Sequence, residues 1–279
     1  MKKFFTILLL SMLPILVFSE VVFSPRIGFD IHKAIKNKFM DDLLKKAINK
    51  AIESGKKEGE DPTLLEDNTI PHSNFLLNMF TIGLDMQFIS HSNGFTFFWN
   101  NEFSYTPSFK AYEKFHFIKN VPPLKDIMKV ESGTFNENQK TMLFSTELLF
   151  GGTFRRENAF NIHFGLGLKL GFTPNTLKLL QPAFSGDRSK IPNELGVIVL
   201  PAIGGTFGFT YYFNEVVGLS ASINEFLGCG AFLAAKVTGK DAAGVANKGI
   251  GYASIGFSNN FAMKLGLNLR VNGVRNSEL

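Results

Sequence analysis

Few residues in this chain have the types and spacing that chemistry needs. The five histidines (His32, His72, His91, His116 and His163) show no metal-ligand spacing, and no nucleophile elbow occurs. Neither a metal nor a cofactor is expected. Gly165-x-Gly167 with Gly171 looks loosely like a phosphate loop, but it sits inside an alternating run with no helix after it. Cys229 lies between Gly228 and Gly230 and is the single cysteine, so it can form no internal disulfide and reads as inert. What remains is a set of charges on one face of alternating segments: Arg26, Asp30, Asp85, Glu102, Glu147, His163, Lys169, Lys264 and Arg270. Both signs occur. They can pair with one another into a satisfied network, or line a polar path that selects solutes.

The segments that must hold these charges are recognised by their period. From Phe160 to Phe172 the even positions are Phe160, Ile162, Phe164, Leu166, Leu168, Leu170 and Phe172; the odd ones are Asn161, His163, Gly165, Gly167, Lys169 and Gly171. Such a period of two is that of a strand with one apolar and one polar face. Thirteen residues is long for a globular strand, whereas a tilted strand crossing a bilayer needs about 9–11. Similar runs recur at 21–31, 80–88, 95–105, 142–150, 195–213, 217–223, 226–236, 250–257 and 261–271. In the 95–105 run Asn101 interrupts an otherwise apolar row.

Composition narrows the class further. The chain has 279 residues, 45% hydrophobic and 19% charged, which is too apolar for disorder. No clean apolar helix long enough to cross a membrane is visible after the N-terminus; the nearest imitation, 195–213, contains Pro201 and four glycines (Gly196, Gly204, Gly205, Gly208) and alternates like a strand. Formal charge is +5, and losing Lys2 and Lys3 leaves about +3, too mild to point to nucleic acid. Lys2 and Lys3 followed by an apolar core from Phe4 to Phe18, with cleavage after Ser19, read as an export signal. Residues 1–19 are thus expected to be a signal peptide and 20–279 a single barrel domain.

Within that domain the period switches once, over 32–58. Ile35, Phe39, Leu43, Ala47 and Ala51 make an apolar stripe opposite Lys36, Lys45, Lys46 and Lys50, as in an amphipathic helix. It would lie on an anionic membrane surface, plug the barrel, or cap neighbouring loops.

Ten strands is the best count, with turns assigned at Asn224-Glu225 and Ser258-Asn259-Asn260; eight, with the first strand and the helix set apart, is the alternative. An even count puts both termini at one end, together with short turns at 90–94, 154–158 and 214–215. Opposite them lie the long segments 32–74, 106–140 and 174–193. A secreted sandwich or lipocalin-like barrel would instead bury the apolar rows inside.

Over nearly the whole mature chain this pattern resembles the bacterial outer-membrane β-barrels of the small OmpA/OmpW type. The resemblance is architectural. Its most specific local match is Lys264-x-Gly266-x-x-Leu269-x-Val271, similar to the last-strand signal read by the barrel assembly machinery; the chain departs from that pattern by ending Asn276-Ser277-Glu278-Leu279, with no terminal aromatic residue. The resemblance implies an outer-membrane protein whose partners are membrane lipid, the assembly machinery and small solutes. The function expected first is a passive channel or uptake route for small solutes, including apolar ones. A surface-exposed structural or adhesion barrel binding partners through its long loops is the alternative. An outer-membrane barrel enzyme, protease or lipid acyltransferase, comes last; it would have to use Asp85 with His163, and catalysis is not expected.

Overall fold

The structure, a computed structural model, describes residues 19–35, 38–54, 75–90, 93–111, 129–131, 138–155, 159–176 and 194–271. The proposed signal peptide lies outside those residues, apart from Ser19. The alternating runs form β1 (Ser19–Ala34), β2 (Phe75–Ser90), β3 (Phe95–Ala111), β5 (Asn138–Arg155), β6 (Phe160–Phe172), β7 (Glu194–Tyr212), β8 (Val217–Lys240) and β9 (Ala246–Val271). A short strand, β4 (Lys129–Glu131), and one helix, α1 (Lys38–Ser54), complete the described elements. The eight long strands pair antiparallel in chain order, and β1 pairs with β9 from Val21↔Val271 to Ala34↔Ser258. The sheet therefore closes on itself, which removes every unpaired backbone edge from the wall. Beyond Ala34, where β1 ends, β4 pairs in parallel with Lys248–Ile250 of β9.

Register shows how the wall is wound. Val22 pairs with Gln87, which pairs with Phe98, and the line continues through Leu149, Gly167, Gly204, Phe226 and Asn260 to His32, ten residues along β1 from its start. Strands in such a barrel tilt by roughly 35–45°, and eight of them enclose a space that side chains just fill. All three prolines in the described long strands fall where pairing lapses, Pro107 of β3 in the β3–β5 gap between Thr106 and Phe109. Pro25 sits in the β1–β9 gap between Phe23 and Arg26, and Pro201 in the β7–β8 gap between Val199 and Ala202, so the missing N–H breaks no ladder bond there.

The wall is inverted relative to a soluble protein. Ile27, Phe80, Ile82, Leu166, Leu168, Ile203 and Leu265 are each about 60% exposed or more, while Ser24, Asp30, Glu102, Glu147 and Asn268 are buried. An apolar outside around a polar inside belongs in lipid, and the soluble alternative with a shared apolar centre does not hold. At the end carrying both termini the turns are short. Gly94 (φ 69°) takes the left-handed conformation that closes β2 to β3, its N–H donating to the Ser90 carbonyl at 3.0 Å. Asn214 Oδ1 accepts from the Val216 and Val217 amides at 2.9 and 2.7 Å to close β7 to β8.

The barrel has eight strands, not ten, and β1 belongs to the wall instead of standing apart. The polar groups assigned to turns lie inside continuous strands: Asn224 and Glu225 of β8 pair with Ala262 and Phe261, and Ser258, Asn259 and Asn260 of β9 pair with Gly228, Leu227 and Phe226. A barrel strand has two ways to keep polar residues without turning. Asn224, Ser258 and Asn260 are buried inside, while Asn259 Nδ2 donates to Glu225 Oε1 on the outer face at 2.9 Å. At the other end of β1, strand pairing runs through His32 and Lys33, so these residues are not helical and α1 starts only at Lys38.

Candidate functional site

All nine charged or histidine candidates on the inner face are buried, none more than 8% exposed. The structure places eight of them in three groups along the bore, and His163 apart from these, against Phe98. The central group is built on Glu147 of β5. Its Oε1 faces Lys169 Nζ from β6 at 3.0 Å and Lys264 Nζ from β9 at 3.1 Å. Its Oε2 accepts from Asn100 Nδ2 of β3 at 2.9 Å and Asn224 Nδ2 of β8 at 3.1 Å. Five strands thus converge on one carboxylate. Lys169 also reaches Glu102 of β3 at 3.3 Å and Asp30 of β1 at 3.4 Å, and Lys264 forms a second ion pair with Glu102. Side chains from opposite walls therefore meet across the bore. In this low-dielectric setting such contacts are strong when every member is satisfied and costly when one is removed.

The second group joins β1, β2 and β8. Arg26 Nε pairs with Asp85 Oδ2 at 2.8 Å, and its Nη1 donates to Ser222 Oγ at 2.7 Å. Arg26 has to reach past β9 to do this, and Gly266 lets it through: a Cβ there would lie 2.8 Å from Arg26 Cγ and 2.6 Å from Ser24 Oγ. Gly266 thus has a packing reason to be glycine, independent of any assembly signal. Of the other residues in that signal, Lys264 points inward, whereas Leu269 and Val271 are exposed near the end of β9. The third group closes the terminus end. Arg270 Nε pairs with Glu20 Oε1 at 3.0 Å, and its guanidinium lies 3.6 Å from the Tyr212 ring centroid. Nearby, Asn268 accepts from Ser220 Oγ at 2.7 Å and donates to Thr210 Oγ1 at 3.0 Å.

Apolar side chains fill the space between. Phe98, Leu149 and Phe226 form a buried cluster inside the wall, with the His163 ring 5.9 Å from Phe98 and Lys169 Nζ 5.4 Å from the Phe226 ring. The glycines of β6 make room for these neighbours. A Cβ on Gly165 would sit 3.0 Å from two Phe98 ring atoms and 3.2 Å from Leu149 Cβ, and one on Gly171 3.3 Å from Leu143 Cδ2. At Gly165 and Gly171 the space a side chain would take is thus occupied by bulky neighbours. Asp85 and His163 are engaged separately, one with Arg26 and the other against Phe98. Among the described residues no group of three His, Cys, Asp or Glu is arranged to hold a metal ion.

Sequence reasoning missed Glu20, His32, Asn100 and Asn224 as members of the lumen, and Phe98 and Phe226 as its apolar filling. A signal for the last two was present. They are large apolar residues on the polar parity of their strands, which in a barrel marks a side chain pointing into the bore.

Residues 17–271 match the family described as a domain of unknown function, DUF2715. The chain belongs to that family. No curated protein sequence matches the DUF2715 chain. Among solved structures it is similar to the outer membrane protein OprG from Pseudomonas aeruginosa, with 11% identity, 90% of this chain and 96% of that one covered, and a TM-score of 0.39. It is also similar to Ail, the attachment invasion locus protein of Yersinia pestis, with 8% identity, 89% and 98% covered, and a TM-score of 0.30. A third is the outer membrane protease OmpT from Escherichia coli, with 8% identity, 91% and 96% covered, and a TM-score of 0.34. The DUF2715 chain has the fold of an outer-membrane β-barrel: closed, antiparallel, apolar outside and polar inside.

Proposed function

We propose that this protein is a plugged outer-membrane barrel that serves as a rigid mount, binding surface partners through the long connections at the end opposite its termini. The observation carrying this reading is the central group of the bore: Lys169 and Lys264 tie Glu102, Glu147 and Asp30 together from across the barrel. A passive route for small solutes, including apolar ones, needs an open bore, and that group occupies it. The strand directions send the connections 35–74, 112–137 and 173–193 to one end, where a partner would meet them. In this reading residues 1–19 direct export. The assembly machinery then inserts the barrel by reading Lys264, Gly266, Leu269 and Val271 in the last strand. Asp85 and His163 carry no catalytic role.

Purified protein in planar bilayers separates the two main readings. A plugged mount gives no channel events at any applied voltage, and replacing 112–128 by a short Gly/Ser linker abolishes adhesion of expressing cells while leaving the barrel inserted. Steady single-channel conductance from the unmodified protein would overturn the mount and restore the solute route.

A further inference from the structure

Among the described residues the charges of the bore do not balance. Outside the central group they match, Arg26 with Asp85 and Arg270 with Glu20. Inside it, Asp30, Glu102 and Glu147 face only Lys169 and Lys264. All five are buried. A charge held away from water without a partner is costly, and the bore is one positive charge short.

The shortfall falls on Asp30. Glu102 and Glu147 each meet both lysines. Asp30 has one ammonium contact, from Oδ2 to Lys169 at 3.4 Å, and its Oδ1 has no hydrogen-bond partner. Two neighbours carry unpartnered atoms as well. His32 follows Asp30 on the inner face of β1; its Nε2 lies 3.9 Å from Asp30 Oδ2, too far for a hydrogen bond, and has no other partner. Asn260 of β9 is the direct cross-strand partner of His32, close enough for the side chains to meet. Its Nδ2 donates to the Ile31 carbonyl at 3.5 Å, so the donor end of the amide is used and Oδ1 is left over. None of the three residues is more than 2% exposed. They lie at the end of the central group nearest the long connections, since β1 runs from the terminus end to Ala34.

The chemistry of these atoms selects the occupant. A proton on His32 supplies the charge but no donor for Asn260 Oδ1. An alkali ion supplies the charge but suits oxygen ligands, not an imidazole nitrogen. A divalent ion would leave the bore one charge in excess. An ammonium group brings a single positive charge and three N–H donors, one each for Asp30 Oδ1, Asn260 Oδ1 and His32 Nε2 with the ring proton on Nδ1. We propose that the bore binds an ammonium group, of the free ion or of a small primary amine, between Asp30, His32 and Asn260. The site needs only the buried charges of the bore, so it stands or falls independently of the loop-binding reading.

Urea unfolding of the full-length protein in lipid vesicles, followed by Trp99 fluorescence, tests it. The background salt is tetramethylammonium chloride, which has the charge but no N–H; ammonium, methylammonium or potassium chloride replaces it at constant ionic strength. At about ten times its half-saturating concentration, ammonium should raise the folded-to-unfolded ratio about tenfold, and potassium should leave it unchanged. An equal effect of methylammonium places a small amine in the site, whereas ammonium acting alone restricts it to the free ion. Asp30→Asn leaves two charges of each sign in the central group and should abolish the response. Asn260→Ala removes one acceptor and no charge, and should raise the half-saturating ammonium concentration several-fold. Equal stabilisation by potassium would overturn the match of donors to acceptors. No response of the unmodified protein to any of the three salts, or an ammonium response unchanged in whichever variant folds, would overturn the site.

Discussion

Removing the Lys169 ammonium should be worse for this barrel than removing the Glu147 charge, although Glu147 has more partners. The central group holds two ammonium groups, Lys169 and Lys264, against three carboxylates, Asp30, Glu102 and Glu147. Glu147→Gln leaves two of each sign, so the main loss is charge-assisted hydrogen bonding with two lysines and two asparagines, about 1.5–3 kcal/mol. Lys169→Met keeps the volume but strands three buried carboxylates around Lys264 alone. Breaking a buried pair in this way costs about 3–5 kcal/mol. In the double variant the charges balance poorly but less so than in Lys169→Met, and its cost should fall below the sum of the two by about 1 kcal/mol or more. The assay is urea-dependent folding into lipid vesicles. The single tryptophan, Trp99, faces outward on β3 and reports insertion by its fluorescence. Gel mobility without heating reports closure. If Glu147→Gln costs more than Lys169→Met, or if both stay within about 1 kcal/mol of the parent, the charge accounting of the central group is wrong.

Three further outcomes follow from the packing. Gly165→Val drives a branched side chain into Phe98 and Leu149 and should destabilise by about 1–3 kcal/mol, with Phe98→Ala in the same chain recovering part of that; vesicle refolding measures both. Arg270→Ala removes the Glu20 pair and the contact over Tyr212, worth about 2 kcal/mol for the desolvated cation–ring contact alone, and hydrogen exchange should accelerate first in the amides of β1 and β9 nearest the termini. Asn214→Ala loses two bonds to the β7–β8 turn, about 1 kcal/mol net; it should slow refolding while leaving the final far-ultraviolet dichroism unchanged.

The membrane orientation of the wall was legible in the residue pattern, because alternation needs only local stereochemistry. Whichever strand Phe164 and Leu166 lie on, they point away from His163 and Lys169. Strand number was harder to read. Asn224-Glu225 and Ser258-Asn259-Asn260 have turn composition, yet in a wall polar on one side such residues can stay in a strand by pointing inward or by pairing with each other outside. Asn101 stood out as an interruption, and its partner across the seam, Thr146, became visible only through the β3–β5 register.

Sequence alone thus determined the two faces of each clearly alternating run and that both termini share one end, since each depends only on period two and an even strand count. Tertiary structure decided that the bore is filled. Lys169, Glu147, Lys264 and Asp30 are far apart in the chain, and only the ten-residue stagger accumulated around eight tilted strands brings them to one level. Local pattern carries no trace of that stagger, because it is a property of the closed sheet.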